Sequence, residues 1–256
     1  MIGVLHPGEM GAAVGAALRA AGQTVFWASE GRSPETLARA EEAGLQDAGT
    51  VGEVARRSDV VMSVCPPHAA MEVARSVAGF RGVFVDANAI SPETSRAIDA
   101  AIEGRFVDGG IIGPPPREPG STRLYLAGSE ADTVAGLFAG TTLDARVISE
   151  EPGAASALKM AYAACTKGTA AMLLAIRELA QAAQVEPALL EEWRLSLPEL
   201  IERWAAAARS ADRKGWRWVA EMEEIASTFE SAGLPGGFHR AAAEVFRTVA
   251  SKAQVR

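Results

Sequence analysis

The chain has 256 residues, of which 48% are hydrophobic and 22% are charged, and its formal net charge at pH 7 is −7. This composition is typical of a globular protein with enough chain for one or two domains. The net negative charge and the lack of a Lys/Arg run exclude a basic surface that binds the phosphates of a nucleic acid. The most apolar window, residues 157–176, carries Lys159 and Lys167 and is a poor membrane span. Two cysteines make no disulfide framework and the chain opens without a secretory signal, so we expect a cytoplasmic protein.

Short apolar runs alternate with helical patterns over the first 150 residues. The predicted strands are Ile2–Leu5, Thr24–Trp27, Val60–Val64, Val83–Asp86, Phe106–Val107, Leu124–Ala127 and Arg146–Ile148. The predicted helices are Met10–Ala21, Pro34–Ala43, Val51–Arg57, His68–Val77, Pro92–Ile102 and Glu130–Ala139. This alternation favours a mostly parallel sheet with helices on both faces. The Gly- and Pro-rich segment "GGIIGPPPREPGS" (109–121) is predicted to be a loop.

The composition changes after Pro152. Residues 154–183 are almost all helix formers and predict one long helix. Further helical segments follow, separated by breaks that each contain a proline, at 186–187, 197–198 and 233–237. We therefore predict an α/β domain over residues 1–151 and an all-α C-terminal domain over residues 152–256.

The first loop, "HPGEMG", follows the first predicted strand and precedes the first predicted helix. In a Rossmann βαβ unit three glycines occur here, and the phosphates of a dinucleotide sit at the helix N-terminus. Gly8 and Gly11 occupy the second and third glycine positions, which have the strictest steric demand. His6 occupies the first, and it is tolerated there if its backbone dihedrals are ordinary. The context predicts a Rossmann dinucleotide site despite the missing glycine, the alternative being a glycine-bearing turn in an unrelated α/β protein.

The residues after the second predicted strand indicate which nucleotide binds. An NAD-selective site has Asp or Glu at the strand end, whereas this chain reads "WASEGRS", with Ser29 at the discriminating position. Arg32 and Ser33 suit a 2′-phosphate, because a guanidinium binds phosphate through a planar fork of donors. Glu30 is a competing carboxylate that could itself face the ribose. The balance favours NADP(H) over NAD.

Four stretches together resemble the β-hydroxyacid dehydrogenase superfamily, which includes 3-hydroxyisobutyrate and 6-phosphogluconate dehydrogenases and the imine reductases. They are "HPGEMG", "VMSVCPP" (61–67), "DANAISP" (86–92) and "GAASALKMAY" (153–162). The helical C-terminal region looks like a little-characterised branch of that superfamily. The resemblance implies a homodimer that associates through the helical domain.

The resemblance places Lys159 on the family's catalytic lysine, which exchanges a proton with the substrate oxygen as hydride moves to or from the nicotinamide. Tyr162 and Asn88 complete the predicted catalytic set. On a helix, positions 159, 162, 163 and 166 share one stripe, so these side chains should line one wall.

This chain departs from the family pattern at several positions. Tyr162 and Ala163 replace the paired asparagines, and Asn88 replaces a serine. Ile112, Gly113 and Pro114 replace the "S-G-G" loop that grips a substrate carboxylate. Glu221 stands roughly where dehydrogenases of the family carry a lysine. These changes predict a substrate that is larger and less anionic than a small hydroxy acid.

The resemblance implies two further sets of site residues. The predicted cofactor-binding residues are His6, Pro7, Gly8, Glu9, Met10, Ser29, Arg32, Ser33, Cys65, Pro66, Pro67 and Asn88. The predicted substrate-binding residues are Ile112, Gly113, Pro114, Thr166, Glu221, Glu224 and His239. For His239, the residues themselves favour a solvated position at a helix start over a role in the pocket. No spacing of His, Cys and Asp suits a metal, so none is predicted.

The sequence thus predicts an NADPH-dependent oxidoreductase that acts on a carbonyl or hydroxyl group of a small-molecule substrate. An imine reductase needs the same hydride geometry and is the alternative within enzymes. An NADP-binding sensor without turnover is the alternative outside enzymes, and the retained Lys159 argues against it.

Overall fold

A computed structural model describes residues 1–254 of the chain. The chain divides into two compact units, Met1–Lys159 and Met160–Arg256, called here the N-terminal and C-terminal units. The predicted domain boundary beside Pro152 stays a prediction. No helix within residues 1–254 is long and apolar enough to cross a membrane.

The N-terminal unit contains one sheet whose strands occur in the order β3-β2-β1-β4-β5-β6-β7-β8. The strands are β1 (Ile2–Leu5), β2 (Val25–Trp27), β3 (Gln46–Asp47), β4 (Val60–Ser63), β5 (Val83–Asp86), β6 (Arg105–Ile112), β7 (Thr122–Ala127) and β8 (Leu143–Ser149). All neighbouring pairs are parallel except β6 and β7. Strand order reverses between β1 and β4, which is where Rossmann folds bind a dinucleotide. The predicted α/β class and mostly parallel sheet are confirmed.

Helices cover both faces of this sheet. Those of the N-terminal unit are α1 (Glu9–Ala20), α2 (Pro34–Glu42), α3 (Val51–Arg57), α4 (Ala70–Arg75, after a 3₁₀ turn at Pro67–Ala69), α5 (Pro92–Asp99) and α6 (Ala131–Gly136). In β5, Val83 and Val85 pack into one buried cluster and Phe84 into the other, because successive side chains of a strand point to opposite faces. Both faces of the sheet are therefore apolar and covered.

The helix starts follow from local sequence. Ser33 and Ser91 precede a proline, and their hydroxyls accept hydrogen bonds from the N–H groups of Thr36 and Thr94. Proline fits the first helical position because its missing N–H would have no partner there. This is why α2 and α5 begin where the sequence predicted.

One predicted loop is wrong in its first four residues. Residues 109–112 continue β6 and pair with β7 instead of starting a loop. A Cβ on Gly110 would lie 2.8 Å from the carbonyl oxygen of Ala155, so glycine is required there by the close approach of the next helix. The glycines therefore mark tight packing of a strand, where composition alone predicted irregular backbone. The short edge strand β3 was also missed.

The remaining helices are α7 (Ala154–Ala182), α8 (Glu186–Ser196), α9 (Glu199–Ser231) and α10 (Gly237–Gln254). They match the predicted long helix and the three predicted breaks. In the C-terminal unit α9 packs on α10, where the rings of Trp218 and Phe246 meet edge to face at 5.1 Å. The predicted all-α region after the α/β fold is confirmed.

Candidate functional site

The loop between β1 and α1 has the geometry of a phosphate cradle. Its backbone N–H at Gly8 donates to the carbonyl of His6 at 2.7 Å, and Gly8 begins α1 with no side-chain cap. A Cβ on Gly11 would lie 2.8 Å from the His6 carbonyl oxygen, so only glycine fits. The uncapped helix start presents N–H groups and the positive end of the helix dipole, which suit the pyrophosphate of a dinucleotide.

His6 does not have the ordinary dihedrals that the sequence analysis required of it. Its φ is +63°, in the left-handed region where the fingerprint has glycine. Histidine is among the non-glycine residues found there more often than most. The histidine therefore keeps the backbone path of the missing glycine and adds a side chain to it.

Arg32 is carried by a turn that follows β2. The turn is closed by a hydrogen bond from the N–H of Arg32 to the carbonyl of Ser29, at 3.1 Å. The Nη2 atom of Arg32 lies 3.5 Å from Nε2 of His6. Among the described residues, the buried Nε atom of Arg32 has no hydrogen-bond partner. A buried guanidinium donor without an acceptor fits an anionic ligand group at this place.

The two serines predicted to bind phosphate already have partners. Ser29 hydrogen-bonds the carboxylate of Asp47 through its hydroxyl and its N–H. The hydroxyl of Ser33 caps α2 by accepting from the N–H of Thr36. Glu30 is exposed. Arg32 is thus the group with spare donor capacity, and the serines shape the loop around it.

Burial, and to a smaller extent the positive charge of Arg32, lower the pKa of His6 to about 4. The imidazole is therefore neutral at physiological pH. Since the guanidinium can only donate, Nε2 of His6 acts as the acceptor and Nδ1 carries the proton.

Asn88 joins the loops that follow β4 and β5. Its Oδ1 accepts from the N–H of Cys65 at 2.5 Å, and its Nδ2 donates to Ser63 at 2.9 Å and to Asp86 at 2.8 Å. The residue is 3% exposed, and this network uses both amide hydrogens. Asn88 therefore fixes the loop that continues into Pro66 and Pro67, while its predicted contact with substrate stays a prediction.

Burial raises the pKa of the Cys65 thiol to about 12, and the nearby carboxylate of Asp86 acts in the same direction. The thiol is protonated at neutral pH. Its backbone, through the bond to Asn88, is the part of Cys65 that shapes the site.

Lys159 lies in the second turn of α7, and the start of that helix is fixed by Asp108 in β6. The Asp108 side chain is fully buried. It accepts from the N–H groups of Gly153 and Ser156, both at 2.9 Å, from the Ser156 hydroxyl at 2.5 Å and from the Ser95 hydroxyl at 3.0 Å. A carboxylate at a helix N-terminus satisfies the free N–H groups and the helix dipole. Asp108 thereby sets the register of α7 and the place of Lys159.

The replacement for the family's carboxylate-gripping loop is bound to its own backbone. Ile112 is buried at the end of β6, and the carbonyl of Pro114 accepts a hydrogen bond from the Thr122 hydroxyl. Gly113 lies between them. This segment presents no side-chain hydroxyl, in line with the sequence.

The predicted site residues of the C-terminal unit differ in exposure. Tyr162 is 48% exposed. Thr166 lines a cavity of 490 Å³ between α7 and α9, together with Lys167 and Arg203. Glu221 is 7% exposed, and its Oε1 lies 2.7 Å from Nζ of Lys167. The negative charge that the sequence analysis placed at Glu221 is therefore compensated.

His239, another predicted substrate residue, packs between aromatic rings. Its ring centroid lies 4.2 Å from that of Phe229 and 5.3 Å from that of Phe238. The residue is 5% exposed, so the alternative of a solvated histidine is wrong. Glu224 accepts a hydrogen bond at its carbonyl from the hydroxyl of Thr228.

Two residues of consequence were not predicted from sequence. Asp108 follows the apolar pair Phe106–Val107, and an acidic residue inside a buried strand was the available signal. Lys167 lies on α7 among small residues, and no motif singled it out.

Two family models match parts of the chain. Residues 1–89 match the family described as NADP oxidoreductase coenzyme F420-dependent, and residues 180–249 match a domain of unknown function, DUF1932. An uncharacterised 28.5 kDa protein from Methanothermus fervidus is 31% identical over 164 residues, which is 63% of this chain and 64% of that protein. The match thus spans just under two thirds of that relative.

Solved structures extend the similarity over nearly the whole chain. A conserved protein of unknown function, described as structurally similar to 3-hydroxyacid dehydrogenases, is 28% identical, with 99% of this chain and 98% of that chain covered and a TM-score of 0.71. A 3-hydroxyisobutyrate dehydrogenase from Salmonella typhimurium is 18% identical, with 98% and 94% covered and a TM-score of 0.69. A reductive aminase from Aspergillus terreus, in complex with NADPH, is 16% identical, with 98% and 93% covered and a TM-score of 0.61.

These similarities confirm the predicted resemblance to the superfamily, the oxidoreductase class and NADP(H) as the cofactor. The chain thus has the fold of the 3-hydroxyacid dehydrogenases, and its first 89 residues match the model of an NADP oxidoreductase family.

Proposed function

We propose that this protein transfers hydride between NADPH and a carbonyl or hydroxyl group, with Lys159 as the proton donor and acceptor. The observation that carries the proposal is the fixed start of α7, where the buried carboxylate of Asp108 holds the first turn and Gly110 lets β6 approach the helix at Lys159. A lysine on a helix held in this way keeps its place through the reaction.

Bound NADPH supplies hydride chemistry at its nicotinamide. As negative charge develops on the substrate oxygen, the ammonium group of Lys159 stabilises that charge and donates the proton. In the reverse direction the amine accepts the proton from the hydroxyl. Tyr162, three residues further along α7, carries a hydroxyl and is the second candidate proton donor on the same helix face.

The proposed cofactor contacts divide by chemistry. The uncapped start of α1 at Gly8 binds the pyrophosphate, Arg32 binds the 2′-phosphate, and the loop held by Asn88 lies along the dinucleotide. The proposed NADP-binding domain spans residues 1–151.

The first experiment replaces the proposed proton donor. Lys159→Met should lower turnover by roughly a hundredfold or more and leave the affinity for NADPH nearly unchanged, because the side chain acts on substrate oxygen. Tyr162→Phe is the matched control and should cost less than tenfold. If Lys159→Met keeps more than about a tenth of the wild-type rate while Tyr162→Phe does not, Tyr162 is the proton donor.

We propose that the substrate is a carbonyl compound larger than a small hydroxy acid. Support comes from the segment Ile112–Pro114, which lacks the hydroxyl that grips a substrate carboxylate in the dehydrogenases that the chain resembles. The ion pair of Glu221 with Lys167 removes one reason to expect a cationic iminium, so carbonyl reduction is the function we favour.

A panel followed at NADPH absorbance tests this substrate class. It contains 3-hydroxyisobutyrate and similar acids, bulky neutral ketones and aldehydes, and cyclic imines. Turnover of the ketones or aldehydes supports the proposal. Efficient turnover of the small acids or of the imines alone would replace it, and tight NADPH binding with no turnover at all would identify a sensor.

We also propose that the protein is a cytoplasmic homodimer that associates through the helical region, residues 152–256. The supporting feature is the exposure of large apolar side chains on three of its helices, with Leu179 70%, Leu195 74% and Trp216 51% exposed. Light scattering coupled to size exclusion should give twice the chain mass. Leu195→Glu should reduce that mass, and a monomeric wild type would contradict the proposal.

A further inference from the structure

We propose that His6 is the residue that orients Arg32 and thereby sets the preference for NADPH over NADH. The inference rests on the proposed binding of the 2′-phosphate by Arg32. Its starting observation is the side chain that this protein carries at a left-handed position, φ +63°, where glycine would fit without conformational cost. A residue other than glycine in this conformation costs backbone energy, which indicates that its side chain has a function there.

The side chain of His6 contacts the guanidinium of Arg32. Nη2 of Arg32 lies 3.5 Å from Nε2 of His6, at the long end of a hydrogen bond. Burial and the neighbouring arginine lower the pKa of His6 to about 4, so the ring is a neutral acceptor at physiological pH. The contact joins the end of β1 to the turn after β2, two elements that flank the start of α1.

A neutral acceptor has a specific advantage at this position. A carboxylate in the place of His6 would hold Arg32 equally well but would cancel its charge, and the affinity for a phosphate would be lost. The imidazole orients the guanidinium and leaves its full positive charge for the ligand. It also leaves the buried Nε of Arg32 without an acceptor among the described residues, ready for an anion.

Carboxylates occur on the same turn as Arg32 and on β3, the strand that pairs with β2. Glu30 is exposed on the same turn, and Asp47, at the end of β3, already accepts from Ser29. Without the imidazole, the flexible arginine side chain would be free to turn toward either of them or toward solvent. His6 therefore selects the one orientation in which Arg32 meets the nucleotide.

The test measures the dissociation constants of NADPH and NADH by fluorescence titration for wild type, His6→Gly, His6→Asn, Arg32→Ala and the double variant His6→Gly/Arg32→Ala. Gly and Asn both accept a positive φ, so they remove the ring without straining the loop. Each His6 variant should reduce the NADPH:NADH preference by roughly three- to tenfold, the effect of one hydrogen bond, and should leave the NADH constant within about twofold. In the Arg32→Ala background the His6 substitution should change nothing further.

Two results would overturn the inference. In the first, both His6 variants keep the wild-type preference. In the second, they weaken NADPH and NADH equally, which would make His6 a purely structural residue of the loop. A wild type that binds both cofactors equally, or an Arg32→Ala variant that still discriminates, would instead refute the proposed 2′-phosphate contact, so the two failures are distinguishable.

Discussion

The two units of the molecule fix their polar groups in different ways. In the N-terminal unit, buried side chains bind backbone N–H groups in addition to other side chains: Asp108 holds the start of α7, and Asn88 holds the backbone of Cys65. In the C-terminal unit, buried polar groups meet other side chains, as in the ion pair of Lys167 with Glu221 and the packing of His239 against aromatic rings.

The difference has a functional consequence. A side chain that binds backbone N–H groups sets the path of the chain, and the site around it keeps its shape when neighbouring side chains change. A site built from side-chain pairs on helices can change its lining without a change of fold. We therefore expect substitutions at Asp108 and Asn88 to alter the backbone around them, and substitutions at Lys167 and Glu221 to alter only the lining of their helices.

The largest effect should follow from Asp108→Asn in the N-terminal unit. The single oxygen of the amide can still accept, but its NH₂ group would face the N–H and O–H groups that now donate to the carboxylate. Each unpaired buried N–H costs about 1–3 kcal/mol. We expect a loss of roughly 4 kcal/mol in the free energy of unfolding, measured in urea. Turnover should fall by roughly tenfold or more, because Lys159 loses its fixed helix start.

Ser95→Ala is the matched control for Asp108. It removes one of the donors to the carboxylate and leaves the two helix N–H bonds intact, so it should cost about 1 kcal/mol. The comparison between the units fails if Asp108→Asn costs no more than this control. The affinity for NADPH should change little in either variant, since Gly8 and Arg32 are untouched.

The next effect should follow from Lys167→Met in the C-terminal unit. Removing the ammonium leaves the Glu221 carboxylate without its ion-pair partner in a largely buried place. We expect a loss of about 2–3 kcal/mol in unfolding free energy, somewhat below the usual value because the Lys167 side chain is 16% exposed. The double variant Lys167→Met/Glu221→Gln should recover part of the loss, and equal losses in the single and double variants would contradict a pairwise interaction.

The N-terminal unit was more predictable from sequence than the C-terminal unit for a physical reason. The turn at His6, the glycine at position 11 and the Ser-Pro helix starts act through local backbone geometry, which neighbouring residues in sequence determine. The partners of Asp108 lie far along the chain, at Ser95 and Ser156, and only the fold brings them together.

The polar groups of the C-terminal unit also depend on long-range packing. Glu221 reads as an isolated negative charge in sequence, because its partner Lys167 lies on another helix. The sequence predicts His239 to be a solvated residue at a helix start, and its burial depends on Phe229 of α9. The loop predicted over residues 109–121 failed at 109–112 for a similar reason, since the strand there is specified by its partner β7 and by the approach of α7.

A smaller effect concerns pH and His6. The folded pKa is lowered to about 4 from the ordinary 6.5, mainly by burial, so the unfolded chain binds the proton first as pH falls. Stability is therefore lost between pH 6.5 and pH 4 and is unaffected by this group above pH 6.5. From pH 7 to pH 5, the midpoint of urea unfolding should fall more for the wild type than for His6→Asn. Parallel declines would show that the folded pKa of His6 is close to its ordinary value, and its imidazole would then be less buried in solution than in the structure.

The smallest effect, and the most direct comparison of the two units, is the reactivity of the two cysteines. Burial and Asp86 raise the pKa of Cys65 to about 12, so at pH 8 only about one molecule in ten thousand carries the thiolate that reacts with iodoacetamide. Cys165 is exposed on α7.

Native protein should be alkylated once, at Cys165, as identified by mass spectrometry of peptides, and unfolded protein should be alkylated twice. The variant Cys165→Ser should stay unlabelled until it unfolds. Labelling of native Cys65 at a rate near that of Cys165 would mean that the network of Asn88 opens in solution, and the fixed cofactor cradle would then have to form on binding NADPH instead of preceding it.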